Sequence, residues 1–354
     1  MRPMVVASAV AFVMASLPQT AEAQRRQEPQ RVAFCTSDVS WEDCSTRVRA
    51  DLLTRLDVPS AEKLAEQGYS GIRIFRYDAF GNIWPTVTAI SRPAGAHPRQ
   101  GLVEARTIHA DGHVAVLSRA IWESGWRATD DIVTVARDRP PRAPVQPLTP
   151  DSGGPPPPPP CVDVPTTVVE VIVDGRVERW SPPSCEADPV FRQTSAIWEM
   201  TAAAFPACGH LPLELYGHGL GRLKACLKLD GPDPVAAIPV LEALNIGVEG
   251  HLNRPIDAAL YDADARLIVG DAPALVGPHA IEAAIRGGAL GPRWIRILRG
   301  SGDGLRVTVH GLLNTGSPFV TNSTPFTQTW TVSPDGAPRM IEWSVPAVAD
   351  QVSD

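Results

Sequence analysis

The sequence predicts an α+β protein in two parts: a disulfide-containing N-terminal α+β region, and a C-terminal α+β region of helices followed by a long antiparallel meander. Three observations carry this. Runs such as Leu102–His109 and His113–Ile121 alternate apolar and polar residues around an Asp111-Gly112 turn, the period of half-buried strands. Val235, Ile238, Leu241, Leu244 and Val248 recur at helical spacing instead. Between these regions stand six consecutive prolines at 155–160, out of 36 in the chain. Proline fixes φ and lacks a backbone donor, so this stretch favours extended polyproline II over a packed core.

At 354 residues the chain is too long for one ordinary core. With 44% hydrophobic and 20% charged residues it has enough apolar surface to fold. The net charge of -7 and the lack of a long Lys/Arg run exclude nucleic acid and anionic membrane surfaces as expected partners. At the start, Arg2 precedes an apolar run, Val5–Leu17, that is too short to span a bilayer. Pro18 breaks the run, and Ala21-Glu22-Ala23 has the A-x-A form of a cleavage site. Residues 1–23 are therefore expected to be a signal peptide, and the protein to be periplasmic or secreted. No other apolar run reaches the roughly 18 residues of a membrane span, so none is expected in the mature protein.

All six cysteines, Cys35, Cys44, Cys161, Cys185, Cys208 and Cys226, lie beyond that cut. An even number in an oxidising compartment reads as disulfides. Six cysteines allow about 15 pairings; the nearest-neighbour set is 35–44, 161–185 and 208–226. Thr166–Val173 and Arg176–Ser181 flank Asp174-Gly175, a type I′ hairpin signal, and Cys161 and Cys185 bracket that hairpin.

Along the mature chain, residues 24–137 read as an α+β unit. Helices are expected at Thr46–Leu56 and, capped by Ser60, at Ala61–Gln67. Strands follow at Gly71–Tyr77, Ile83–Ser91 (with Pro85 marking an edge or bulge), Leu102–His109 and His113–Ile121. Residues 138–160 are a proline-rich linker. Residues 161–232 carry the hairpin, then helices over Val190–Phe205 and Leu213–Leu229, with the last two cysteines tying these helices together.

Residues 233–354 form the last unit. After the helix carrying Val235 come a short helix at Pro255–Tyr261 and a hairpin of Ala265–Val269 with Ala274–Val276. A third helix, Ala280–Arg286, precedes four strands: Arg293–Arg299, Leu305–Leu313, Thr324–Val332 and Arg339–Val345. This order resembles the NTF2-like superfamily, most of all its SnoaL-like and ketosteroid-isomerase-like branch. The resemblance rests on residues 243–285 and 326–348: an aromatic-Asp step at Tyr261-Asp262, a glycine before a helix at Gly277–Ile281, and Asp335-Gly336 before a last strand carrying Trp343. It implies a curved sheet wrapped on helices, a cone with an apolar pocket. Such cones bind small apolar molecules, catalyse isomerisation or dehydration, or form homodimers through the outer sheet face. Fold alone does not choose among these.

Alternation along the strands puts Ile295, Ile297, Val307, Val309, Phe326, Trp330, Ile341, Trp343 and Val345 on one face, the expected concave side. Gln328 falls among them, and a buried amide must find a partner or a ligand. Tyr261, Gln328, Trp330 and Trp343 are thus the candidate ligand-binding residues. The opposite face holds Trp294, Arg296, Thr308, His310 and Glu342, where Arg296, His310 and Glu342 are positioned for a charged cross-strand cluster. His310 is a general-base candidate only if a bulge reverses its face. Asp262 and Asp264 suit proton abstraction only if burial tunes them; otherwise they are turn residues. The inner faces are nearly free of acids and bases, which leans against catalysis, and no catalytic residue or cofactor is assigned. Cys208, His210, His218 and Cys226, spaced C-x-H-x7-H-x7-C, match no common zinc pattern, so no metal is expected. Gly217–Gly221 lacks dinucleotide-binding spacing, and Asn322-Ser323-Thr324 is a glycosylation sequon by letter. The reading is an exported accessory protein that binds a small apolar ligand. A SnoaL-like lyase or isomerase and an envelope interaction or dimerisation module remain open beside it.

Overall fold

A computed structural model describes residues 41–77, 86–91, 101–109, 111–121, 134, 166–180, 189–247, 258–288, 290, 293–317 and 320–346. The expected signal peptide, Cys35, Cys161, Cys185 and the proline-rich segment lie outside them, and of Cys44 only its place in a helix is described.

Two helices, α1 (Trp41–Leu56) and α2 (Ala61–Glu66), lead into strands β1 (Ser70–Tyr77), β2 (Thr86–Ser91), β3 (Gly101–Ile108) and β4 (Val114–Ile121). The hairpin β5 (Thr166–Val173) and β6 (Arg176–Trp180) follows the proline-rich segment. Its turn has Asp174 at φ 51 and Gly175 at φ 73, the left-handed pair that a type I′ turn requires. These strands form one antiparallel sheet, ordered β4-β3-β2-β1-β5-β6. β5 pairs with β1 from Gly71↔Ile172 to Tyr77↔Thr166. The division expected between 24–137 and 161–232 is therefore not a boundary of the sheet: strands from both sides of the proline-rich segment share one ladder.

Both sheet faces are covered, because apolar residues alternate to each. Val48 and Leu52 of α1 pack on Phe75 and Val168. Ala61, Leu64 and Ala65 of α2 pack near Ile172, and Ser60 caps α2 by accepting from the Lys63 amide at 3.2 Å. Ile72, Ile74, Val87, Val169 and Val171 belong to the large central core on the other side. Within this apolar setting Glu170 and Arg73 are both buried. Arg73, Arg49 and Arg179 approach the Glu170 carboxylate at 3.6, 3.5 and 2.9 Å. Arg73 Nε also donates to Thr88 Oγ1 at 3.2 Å, and Arg179 reaches Glu62. Burial raises the Glu170 pKa, and the Arg73 and Arg49 charges oppose that rise.

The chain then turns through α3 (Pro189–Ala204), α4 (Pro206–Gly209), α5 (Leu213–Tyr216) and α6 (Leu220–Cys226). The single helix expected over Leu213–Leu229 is two short ones. Gly217 and Gly219, at φ 67 and 57, interrupt it with backbone that other residues rarely adopt. A disulfide joins Cys208 and Cys226 (Cα–Cα 5.1 Å), as expected for that pair. Ile197, Trp198 and Ala202 of α3 lie in the same core as the first sheet.

A short strand, β7 (Leu229–Asp230), enters the second sheet. A 3-10 turn (Pro234–Ala237) leads into α7 (Ile238–Gly247), and a second (Ala258–Leu260) into β8 (Tyr261–Val269). Tyr261 thus opens a strand, where the sequence reading ends a helix on it. β9 (Leu275–Val276), α8 (Pro278–Arg286), β10 (Arg293–Asp303), β11 (Arg306–Ser317), β12 (Val320–Val332) and β13 (Pro338–Val345) are the last of the described elements. The sheet order is β7-β10-β11-β12-β13-β8-β9. β8 runs parallel to β13, β7 runs parallel to β10, and the other neighbours are antiparallel. Pairing shifts at Ile297/Arg299, Thr329/Trp330 and Met340/Glu342 mark bulges, which bend strands. α7 packs across β10, β12 and β13. Among the described residues, no helix is long and apolar enough to cross a membrane.

Candidate functional site

The inner face of the second sheet is built by the pleat of β12. Phe326, Gln328 and Trp330 alternate inward and are buried, Gln328 and Trp330 at 0% exposure. Register brings the partners: Trp343 stands opposite Gln328, Met340 opposite Trp330, and Tyr261 beside Met340 across the parallel β13–β8 pair. The four expected ligand-binding residues, Tyr261, Gln328, Trp330 and Trp343, therefore lie in two adjoining rows of one buried patch. One neighbour differs from expectation. Ile341 was assigned to this face, but the bulge places Met340 there at 0% exposure and leaves Ile341 half-buried.

The hydrogen bonding of this patch is incomplete. The Trp330 Nε1–H donates to Gln328 Oε1 at 3.1 Å. Among the described residues, the Gln328 amide nitrogen, the Trp343 indole nitrogen and the Tyr261 hydroxyl are buried without a hydrogen-bond partner. Each such group costs about 1–3 kcal/mol of uncompensated desolvation. All three are donors. Burial raises the Tyr261 pKa, and Glu282 raises it further, so the phenol keeps its proton and acts as a donor rather than a base. Phe326 tilts at 60° against Trp343, ring centroids 5.8 Å apart. The arrangement suits an apolar molecule presenting an acceptor oxygen or nitrogen. Phe326, Gln328, Trp330, Met340 and Trp343 are each at most 2% exposed.

The acid–base candidates stand elsewhere. Asp264 is exposed and Asp262 partly so; the Asp264 amide donates to Asp262 Oδ1 at 3.1 Å, a local turn contact. His310 stays on the opposite face. It pairs with Arg299 across β10–β11, and its Nδ1 lies 3.5 Å from Thr327 Oγ1. The expected cluster of Arg296, His310 and Glu342 is not assembled. Glu342, on β13, pairs with Thr329 and Arg266, and β12 separates it from His310. The disulfide takes both cysteines from the C-x-H-x7-H-x7-C set and leaves His210 and His218 exposed. Among the described residues, no group of three His, Cys, Asp or Glu side chains is placed to hold a metal.

Sequence reasoning missed two polar clusters: Glu170 with its arginines, and His109 at the contact between the sheets. A charged letter inside the apolar runs TTVVEVIV and GIRIF was the available signal for the first.

No family model and no curated protein matches the chain. Solved structures match about a third of the chain. A SnoaL-like polyketide cyclase from Jannaschia sp. CCS1 is 16% identical, with 30% of this chain and 83% of that one covered, at a TM-score of 0.24. A ketosteroid-isomerase-like protein from Catenulispora acidiphila, in complex with trimethylamine, is 12% identical over 32% of this chain and 85% of that one, also at 0.24. An NTF2-like protein with a cystatin-like fold from Novosphingobium aromaticivorans is 18% identical over 34% and 76%, at 0.22. At such scores the likeness carries no argument about this chain's activity; the α+β description rests on its own strand order and packing.

Proposed function

We propose that the C-terminal cone binds one small, largely apolar molecule carrying a hydrogen-bond acceptor, and that the chain is an exported accessory protein built around this binding. One observation carries the reading: Tyr261, Gln328 and Trp343 bury three donor groups that have no partner among the described residues, between apolar walls of Trp330, Phe326 and Met340. Donors left unpaired in a dry interior are costly, and a ligand acceptor offsets that cost in a way a hydrocarbon cannot. Binding is favoured over turnover because Tyr261 keeps its proton and the expected acids, Asp262 and Asp264, lie outside the patch. Export rests on Arg2, the Val5–Leu17 run and Ala21-Glu22-Ala23.

Native mass spectrometry with two matched probes tests the reading, cyclohexanone against cyclohexane-sized hydrocarbons and their larger ring homologues. The expected result is retention of the ketones, at least tenfold over the hydrocarbons, with a change in tryptophan emission. Equal retention of both series, or none at millimolar probe, overturns it. Chemical conversion of a retained ketone would replace the binding role with a catalytic one.

A further inference from the structure

The β3–β4 turn of the first sheet reaches the β7 edge of the second. His109, at the end of β3, is 8% exposed, and its Nε2 lies 3.1 Å from the Leu227 carbonyl oxygen. A carbonyl only accepts, so Nε2 carries the hydrogen and donates across the joint; a further proton goes to Nδ1 and leaves this bond in place, so what opposes charging the ring is its burial. His113 lies parallel to it, ring centroids 6.0 Å apart at an interplanar angle of 3°. Asp111 of the same turn faces Arg299 of β10 at 3.7 Å. Between these elements is a cleft of about 70 Å³, whose lining includes His109, His113, Leu227, Asp230 and Arg299.

The charges facing His109 are Asp111 and His113 from its own turn, Lys228 and Asp230 from the opposing edge, Arg299 from β10 and, behind it, His310 from β11. Around His109, Lys228 and Arg299 stand against Asp111 and Asp230, two cations against two anions. A proton on His109 adds a positive charge to that balance.

We propose that this contact is an acid-operated joint: protonation of His109 releases the β3–β4 turn from the Leu227–Asp230 edge and loosens the first sheet from the second. Burial puts the price on that proton. It holds the His109 pKa down to about 4, while the Leu227 hydrogen bond and Asp111 pull upward and His113 and Lys228 push further down. His310 is also lowered, by burial and then by Arg299. Because the folded pKa is depressed, the contribution of His109 is fully present above the ordinary value of 6.5. It is lost as pH falls toward about 4. The separation of the two values bounds the change in the closed–open equilibrium at roughly 300-fold, reached only below about pH 4.

Hydrogen exchange read by mass spectrometry, corrected for the intrinsic pH dependence of exchange, tests the joint in the full chain. Between pH 7 and 4.5, the amides of 107–117 and 225–230 are expected to lose at least tenfold protection, while those of β11 and β12 keep theirs. In His109→Gln, whose amide can still donate to Leu227 but does not titrate, the loss is expected to fall below threefold. Equal losses in both proteins, or protection that does not change with pH in the wild type, overturn the proposal. Should the variant not fold, the imidazole pKa of His109 measured by NMR in the wild type decides: a value below 5 supports the joint and one above 6 sinks it.

Discussion

In the first sheet, the buried Glu170 carboxylate is met by guanidinium groups from α1, β1 and β6. In the second, the buried donors of Tyr261, Gln328 and Trp343 have no hydrogen-bond partner among the described residues. Both interiors accept polar groups, but the first meets charge with charge, although Glu170 Oε2 and Arg73 Nη1, 3.6 Å apart, make an ion pair rather than a hydrogen bond. The Glu170 cluster links elements distant in sequence and so fixes how α1 and the hairpin seat on the sheet. The donors of the second cluster tie no elements together, and in the proposed reading a bound acceptor offsets their cost. A polar group that the chain satisfies itself is scaffolding; one that it leaves unsatisfied in a dry place is a candidate for recognition.

Removing the carboxylate should have the largest effect. Glu170→Ala strands three arginines, one of them fully buried, and is expected to cost about 3–5 kcal/mol in urea unfolding. The paired change Glu170→Leu with Arg73→Met should recover most of it; if it recovers nothing, charge pairing is not what the cluster contributes. Opening the Cys208–Cys226 bridge comes next. A closed loop with a sequence separation of 18 constrains the unfolded chain by about 3 kcal/mol. Cys208→Ser with Cys226→Ser should lower stability by that order, and a loss under 1 kcal/mol would show that packing of α3, α4 and α6 suffices. Third, Gly311→Ala places a β-carbon into the Phe326 ring. An expected cost of about 2 kcal/mol, measured by thermal unfolding, follows from overpacking at a site where Phe326 is itself buried. An unchanged melting point would mean that the ring has room to move and the patch is less tightly closed than its burial indicates.

How much of this was legible in the sequence depends on range. The meander strands announced themselves because apolar alternation is a local signal; they run longer than expected only where they pair into their turns, as β10 does through Gly300-Ser301-Gly302. The inward set Phe326, Gln328 and Trp330 was readable for the same reason. Ile341 was misplaced because a bulge depends on the partner strand and leaves no period of its own. The break at Gly217–Gly219 was written in two glycines that a helical reading passed over. Pairing of β5 with β1 across the proline-rich segment was not readable at all. Nothing in either strand's letters names its neighbour, and the charges that cross-link them, Arg73 and Glu170, look in isolation like interruptions. The same holds for His109, whose importance arises from a carbonyl 118 positions away.

The finest test separates the two kinds of buried polarity within one residue. Tyr261→Phe keeps the ring and its packing but deletes a hydroxyl that has no partner. If that hydroxyl only pays desolvation, the variant is more stable by about 1 kcal/mol, since an unpaired buried donor is worth that or more against folding. If it also serves a bound acceptor, affinity for a ketone probe drops several-fold in the same variant, because a neutral hydrogen bond in a dry site contributes about 1 kcal/mol. The two readouts move in opposite senses only when the group is kept for a ligand. In the first sheet no such opposition is available: Arg73→Met alone should destabilise, because it leaves Glu170 short of a partner. A Tyr261→Phe protein that loses stability instead would place an unseen internal partner on the hydroxyl, and the contrast between the two sheets would vanish at that residue.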